Sequence, residues 1–78
     1  MALPLSPATH TLGERIKERR NALGISQEAL GARSDLHWTF VGKVERGQTN
    51  VSLHNLLKIA AGLDVDAGEL VRGLKPPP

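Results

Sequence analysis

The stretch SQEALGARSDLHWTFVGKVERG, residues 26–47, decides how this chain folds. Ser26 is placed to cap a helix, with Gln27 and Glu28 in the first turn, where the helix dipole favours an acid. That helix is short and ends near Arg33. SDLH then turns the chain, and His37 or Asp35 caps a second helix that ends at Gly47. Each residue turns a helix by ~100°, so Val41 and Val44 lie close together and define an inward side. Measured from their mean, Thr39 and Arg46 lie ~170° away, and Gly42 and Lys43 ~130° away. Trp38 and Glu45 sit on one flank, ~90° and ~70° off, and Phe40 on the other, ~70° off. The outward stripe is therefore threonine, glycine, lysine and arginine, with two cations and no acid. A glycine inside a helix costs about 1 kcal/mol against alanine. At position 42 that cost is explained if another surface, such as a groove wall, approaches the backbone closely.

Working outward, THTLGE offers Thr11 as an N-cap with Glu14 three residues on, a capping box. The helix that follows carries Leu12, Ile16 and Leu23 on one side, and Gly24 is placed to stop it. After the polar loop QTNVS, Ser52 caps a helix over LHNLLKIAA, where Leu53, Leu56, Leu57 and Ala60 fall at helical spacing and Gly62 is the stop. DAGE repeats the capping-box pattern with Asp66 and Glu69 and opens a short helix to Val71 or Arg72. Gly73 and the triple proline end regular structure. No run alternates like a strand and there is no internal repeat. The expectation is an all-α domain of five short helices over residues 11–74, with flexible tails at 1–10 and 75–78.

Composition narrows the function classes. With 78 residues this is one domain, and a chain of this size buries roughly 60 % or a little more of its unfolded surface. There is no cysteine, so no disulfide framework or thiolate metal site, which suits a reducing cytoplasm. The first ten residues lack the basic and apolar segments of a signal peptide. No apolar run approaches the ~20 residues of a membrane span. Net charge is +2 and the isoelectric point about 9.5, a mild pointer to an anionic partner. The excess is local: Leu12 to Gly47 holds seven bases against five acids, and the remainder from Gln48 three against three. His10, His37 and His54 show no ligand spacing, so no metal and no cofactor is expected. No carboxylate cluster or Ser/His/Asp set stands at a catalytic spacing, which speaks against an enzyme.

A short helix, a tight turn and a second short helix with an outward basic face make a helix-turn-helix, whose second helix enters the DNA major groove. At this point the sequence resembles a known family. SQEALGARSDLHWTFVGKVERGQTNVSLHNLLKIAAGLDVDAGEL is similar to the lambda-repressor-like domain of phage-repressor-type transcription regulators, from about Leu12 to Leu70. Ser26-Gln27-Glu28, Leu30, Glu45-Arg46-Gly47, Asn50, Ser52-Leu53, Leu56 and Ile59-Ala60 all stand at family spacing. Within that family it looks most like the controller proteins of restriction–modification systems. Where these usually carry a base-reading arginine, this chain has Trp38.

The resemblance implies roles. Gln27 touches backbone phosphate, Thr39 and Lys43 reach base edges, and Arg46, Gln48, Thr49 and Asn50 grip phosphate or neighbouring bases. His37, Trp38, Phe40, Gly42 and Ser52 complete the implied DNA-binding set. Chemistry allows this, since lysine suits guanine acceptors and a threonine methyl suits a thymine methyl, while loop amides and helix N-termini bind phosphate. Phosphate contacts set register and base contacts set sequence. Plainer readings stand beside these. Lys43 and Arg46 are also what a solvated helix face looks like, and Gln27 suits any first turn. Phe40 packs beneath the turn or leans on the sugar–phosphate backbone. Trp38 meets thymine methyls or a sugar, or packs on the stem of Glu45 or on a partner protein. Arg20 and Glu45 occupy positions that the family pairs as a salt bridge between the first and third helices.

One short reading helix contacts few base pairs, so a two-fold homodimer on a symmetric operator is expected. LDVDAGELVRGL offers Val65, Leu70 and Val71 as its interface, with Leu63 and Leu70 also suited to the monomer core. The expected partners are double-stranded DNA and a second copy, with no membrane and no small-molecule ligand. The expected setting is the cytoplasm, at a bacterial or phage nucleoid. The alternative is an antitoxin that represses its own promoter. That role needs a toxin-binding segment, for which the first ten residues and KPPP are scant material.

Overall fold

A computed structural model of the chain describes residues 3–78; the first two residues of the expected N-terminal tail lie outside them. Five helices follow one another: α1 Pro7–Ala22, α2 Gln27–Ser34, α3 Trp38–Glu45, α4 Leu53–Leu63 and α5 Ala67–Val71. Among the described residues there is no strand.

The caps explain most boundaries. Ser26 accepts the amide of Ala29 at 3.0 Å and Ser52 that of Asn55 at 3.1 Å. His37, and not Asp35, caps α3; Asp35 instead ends α2 in the left-handed region at φ 55. Two expected boundaries move. The first helix begins at Pro7, a turn before Thr11, because Ser6 and Thr9 form a reciprocal capping box and Pro7 brings a preset φ to the first turn. Residues 7–10 are therefore helix and not tail. Gly62 does not stop α4, which runs to Leu63 and is closed by Asp64 at φ 56. Asp66 is the N-cap of α5 but makes no side-chain cap hydrogen bond, and the Glu69 side chain, which would complete a capping box, pairs with Arg19 at 2.7 Å.

Every helix contributes to one core of Leu12, Ile16, Leu30, Val41, Val44, Ile59, Ala60, Leu63 and Leu70. Val41 and Val44 are buried as the inward side of α3. Leu23 is not part of this core. It is the C-cap of α1, beyond the last turn, and is 44 % exposed, while Ile25 packs in its place. On α4 the inward face is Leu56, Ile59, Ala60 and Leu63, whereas Leu53 and Leu57 face solvent. Arg15 ties α1 to the end of α5, donating to the carbonyls of Leu70 at 3.1 Å and Arg72 at 2.8 Å.

Close crossings depend on missing side chains. A Cβ at Gly13 would lie 2.5 Å from the carbonyl oxygens of Val44 and Glu45, so α1 rests directly on the end of α3. A Cβ at Gly31 would lie 2.7 Å from the carbonyl oxygen of Leu36, which keeps the turn between α2 and α3 tight. Gly62 faces the Ser34 side chain, whose buried hydroxyl has no hydrogen-bond partner among the described residues.

Gly62→Ala is thus expected to destabilise the fold by about 1–3 kcal/mol through overpacking. Ser34→Ala alone should be close to neutral, since it removes an unpaired hydroxyl. In the double variant the new methyl would meet the residue 34 Cβ at 3.4 Å and the end of the Leu30 side chain at 3.2 Å, which a shift of a few tenths of an ångström in that side chain relieves. Thermal unfolding of the four proteins should show Ser34→Ala recovering much of the Gly62→Ala loss; additive effects would contradict this packing.

Candidate nucleic-acid interface

The orientation of α3 is set by one carboxylate. Arg20 of α1 donates to Glu45 through Nε at 2.6 Å and Nη2 at 2.9 Å, and Gln27 at the start of α2 donates through Nε2 at 3.1 Å. The third guanidinium nitrogen of Arg20 holds the carbonyl of Ile25 at 3.0 Å. The Glu45 side chain is 3 % exposed and that of Arg20 11 %. The hydrogen bonds from Arg20 to Glu45 push the guanidinium further toward its charged form, against the opposing effect of burial. The pair is structural, joining the first and third helices, and it occupies the Arg20 groups that could otherwise reach a phosphate.

The face of α3 that remains open carries Thr39, Lys43 and Arg46, all exposed. Lys43 makes no ion pair among the described residues, and Arg46 donates to Gln48 at 3.1 Å. Gly42 departs from expectation: it is buried. A Cβ there would lie 3.1 Å from Arg46 Nη1 and 3.4 Å from Gln27 Oε1. The surface that approaches this glycine is therefore the chain's own, because Arg46 folds back over it and Gln27 reaches across from α2. The missing side chain lets Gln27, Arg46 and Gln48 gather at one edge of α3.

At the other end of α3, His37, Trp38 and Thr39 form a second exposed group. The His37 and Trp38 rings stack with centroids 6.0 Å apart. Trp38 is 48 % exposed. Phe40 is half-buried against the core, so the packing reading describes it. Asn50 is exposed and Thr49 and Gln48 are half-buried in the loop after α3. Ser52 is occupied as the cap of α4.

Two further placements correct the sequence reading. Leu70 is 1 % exposed and belongs to the monomer core, so it has no surface to offer a partner; Val65 also packs against the core. The residues before α1 are not independent of the site, since the Leu5 amide donates to the Gly47 carbonyl at 2.8 Å. A Cβ on Gly47 would touch Pro4 and the backbone of His10. The signal for this in the sequence was SPAT, a serine, a first-turn proline and a threonine at capping-box spacing.

Glu45→Ala would leave the Arg20 guanidinium largely buried without its anion. The expected loss is about 2–4 kcal/mol, a fall in melting temperature on the order of 10 °C or more for a domain of this size. Calorimetry or thermal circular dichroism reads it, and an unchanged melting temperature would contradict the structural role of the pair.

Among the described residues no helix is long and apolar enough to cross a membrane, and no three of His, Cys, Asp and Glu come together as metal ligands would. Comparison with known proteins agrees with the geometry of α2 and α3. The profile of the helix-turn-helix family matches residues 16–70. The control protein C.MunI of Mycoplasma is 42 % identical over 59 residues, covering 74 % of this chain and 80 % of its own length. The crystal structure of the restriction–modification controller protein C.AhdI from Aeromonas hydrophila superposes with a TM-score of 0.78 at 50 % identity, covering 80 % of this chain and 94 % of that one. The P22 c2 repressor protein, solved in complex with a synthetic operator, superposes with a TM-score of 0.74 at 33 % identity, covering 81 % of this chain and 96 % of that one. The chain therefore belongs to the helix-turn-helix family of transcription regulators.

Proposed function

We propose that the protein is a sequence-specific DNA-binding regulator of the controller type, working as a two-fold dimer with α3 of each copy in the major groove of a symmetric operator. The observation that carries this reading is the exposed Thr39, Lys43 and Arg46 face of a helix whose far side is fixed by the buried Arg20–Glu45 pair. Lys43 suits guanine O6 and N7, and Thr39 suits a neighbouring base edge. Trp38 offers apolar surface at the start of the reading helix. Gln27 gives one amide hydrogen to Glu45 and has a second for a phosphate. Arg46, Gln48, Thr49 and Asn50 extend the phosphate track. The site of action is then the nucleoid in the cytoplasm.

Dimerisation has support in the apolar residues left outside the core. Leu53 and Leu57, one turn apart on α4, and Val71 on α5 are 66 %, 48 % and 37 % exposed. The domain measures 34 × 28 × 22 Å. Two copies side by side thus fit half-sites about one helical turn of DNA apart, roughly 34–36 Å.

Affinity for a selected duplex is expected to fall steeply with salt, with a log–log slope near −0.9 for each phosphate neutralised. Arg46→Ala should flatten that slope by about one contact, and Lys43→Ala should relax preference at one base position of each half-site. A flat salt titration would count against DNA binding as a whole.

Sedimentation at micromolar concentration should give a mass near twice the 8.4 kDa of the chain. Leu57→Lys and Val71→Lys, each read for mass and helix content, should yield folded monomers with weakened operator binding. A wild-type chain that stays monomeric yet protects a two-fold site would mean that DNA assembles the pair.

A further inference from the structure

The start of α3 is closed by an imidazole, whereas α1, α2 and α4 are each capped by a serine. His37 Nδ1 accepts the backbone N–H of Thr39 at 3.2 Å and lies 2.7 Å from the Thr39 hydroxyl oxygen. Both residues are exposed, on the side of the helix that the proposed function gives to DNA. A backbone N–H can only donate, so Nδ1 presents its lone pair there and the ring hydrogen sits on Nε2. At 2.7 Å from that lone pair the hydroxyl must donate as well. The hydrogen of Thr39 is then consumed inside the protein, and its oxygen faces outward as an acceptor only.

That polarity is information at a base edge. Adenine N6 and cytosine N4 are donors in the major groove, while guanine O6 and N7, thymine O4 and adenine N7 are acceptors, so cytosine alone offers a donor and no acceptor. We infer that His37 is a positioning residue that sets the hydrogen-bonding polarity of Thr39 and thereby the base it accepts. With a neutral imidazole, Thr39 takes a hydrogen bond from adenine or cytosine. With a proton on Nδ1, the ring donates to the Thr39 oxygen and no longer accepts the Thr39 N–H, the hydroxyl hydrogen is released outward, and cytosine loses ground to the bases that offer an acceptor. The inference rests on α3 being the reading helix. Of the acids on α2 and its C-cap, neither Glu28 nor Asp35 pairs with His37. The cation on the last turn of α2 is Arg33, while Lys43 and Arg46 lie toward the far end of α3.

The test selects bound fragments from random duplexes with wild type, His37→Asn, Thr39→Val and Lys43→Ala, at about pH 8 and about pH 5, on either side of the range where imidazoles change charge. Asparagine caps helices well and does not titrate in this range, so His37→Asn keeps α3 capped and Thr39 polarised one way. The reading is the ratio of bases at each position, which a general change in affinity does not move. Thr39→Val should flatten one position in each half-site. There the wild type should favour adenine or cytosine at about pH 8, and the ratio of guanine and thymine to cytosine should rise by about fivefold at about pH 5, the worth of one hydrogen bond. His37→Asn should hold the adenine or cytosine preference at both. The imidazole nitrogen-15 spectrum of the free protein should show Nδ1 unprotonated at the higher pH. If the position lost in Thr39→Val does not move with pH in wild type, or moves equally in His37→Asn, the polarity role is overturned while α3 stays the reading helix. If no consensus emerges, or if neither Thr39→Val nor Lys43→Ala alters it, the reading helix is overturned and this inference with it.

Discussion

The Glu45 carboxylate is the point on which the rest of the structure turns. It receives three hydrogen bonds from two other helices, two from Arg20 and one from Gln27. A carboxylate buried to this depth is costly unless it is both paired and hydrogen-bonded. The arrangement of α1, α2 and α3 seen here satisfies it. The same group that would be expensive to bury alone thus selects one relative orientation of the turn motif. Arg20 extends the selection by holding the Ile25 carbonyl just before α2 begins.

Around this clamp the helices come closer than ordinary side chains permit. Gly13 brings the backbone of α1 onto the last carbonyls of α3, and Gly31 folds the α2–α3 turn onto itself. Gly42 performs a different task, since side chains and not a backbone fill its space. Gln27 and Arg46 converge there, which carries the constraint from the buried clamp out to the surface of α3. One element links the two: Gln27 touches both Glu45 and the Gly42 site. The buried clamp and the outward polar residues thus meet at one side chain.

The outward face is chemically divided. The C-terminal end of α3 gathers cations and amides, suited to an anionic backbone. The N-terminal end holds an imidazole, an indole and a hydroxyl, suited to the edges and faces of bases. On the proposed reading of α3, such a division would let a single short helix supply both register and sequence preference. The exposed leucines of α4 add a third kind of surface, apolar and separate in chemistry from the first two.

The helix count, the inward valines of α3, the serine caps at Ser26 and Ser52, and the Arg20–Glu45 pairing are all legible from the chain, the pairing through family resemblance. Helical periodicity and capping chemistry are local, so a sequence carries them directly. What the chain did not disclose depends on distant partners. Thr11 and Glu14 spell a capping box, but Ser6, Pro7 and Thr9 compete with them and extend the helix by a turn. Asp66 and Glu69 spell another, but Arg19, fifty residues away, takes the glutamate. Gly62 has the look of a stop and is instead the contact point with Ser34 on α2. Leu70 has the look of spare apolar surface and is core, whereas Leu53 and Leu57 of α4 are left in solvent. Local sequence determined which segments are helical and which side of each is apolar. Tertiary structure alone decided which apolar side had room in a core this small, and which polar group an opposite charge from another helix would claim, because burial and ion pairing are properties of neighbours far apart in the chain.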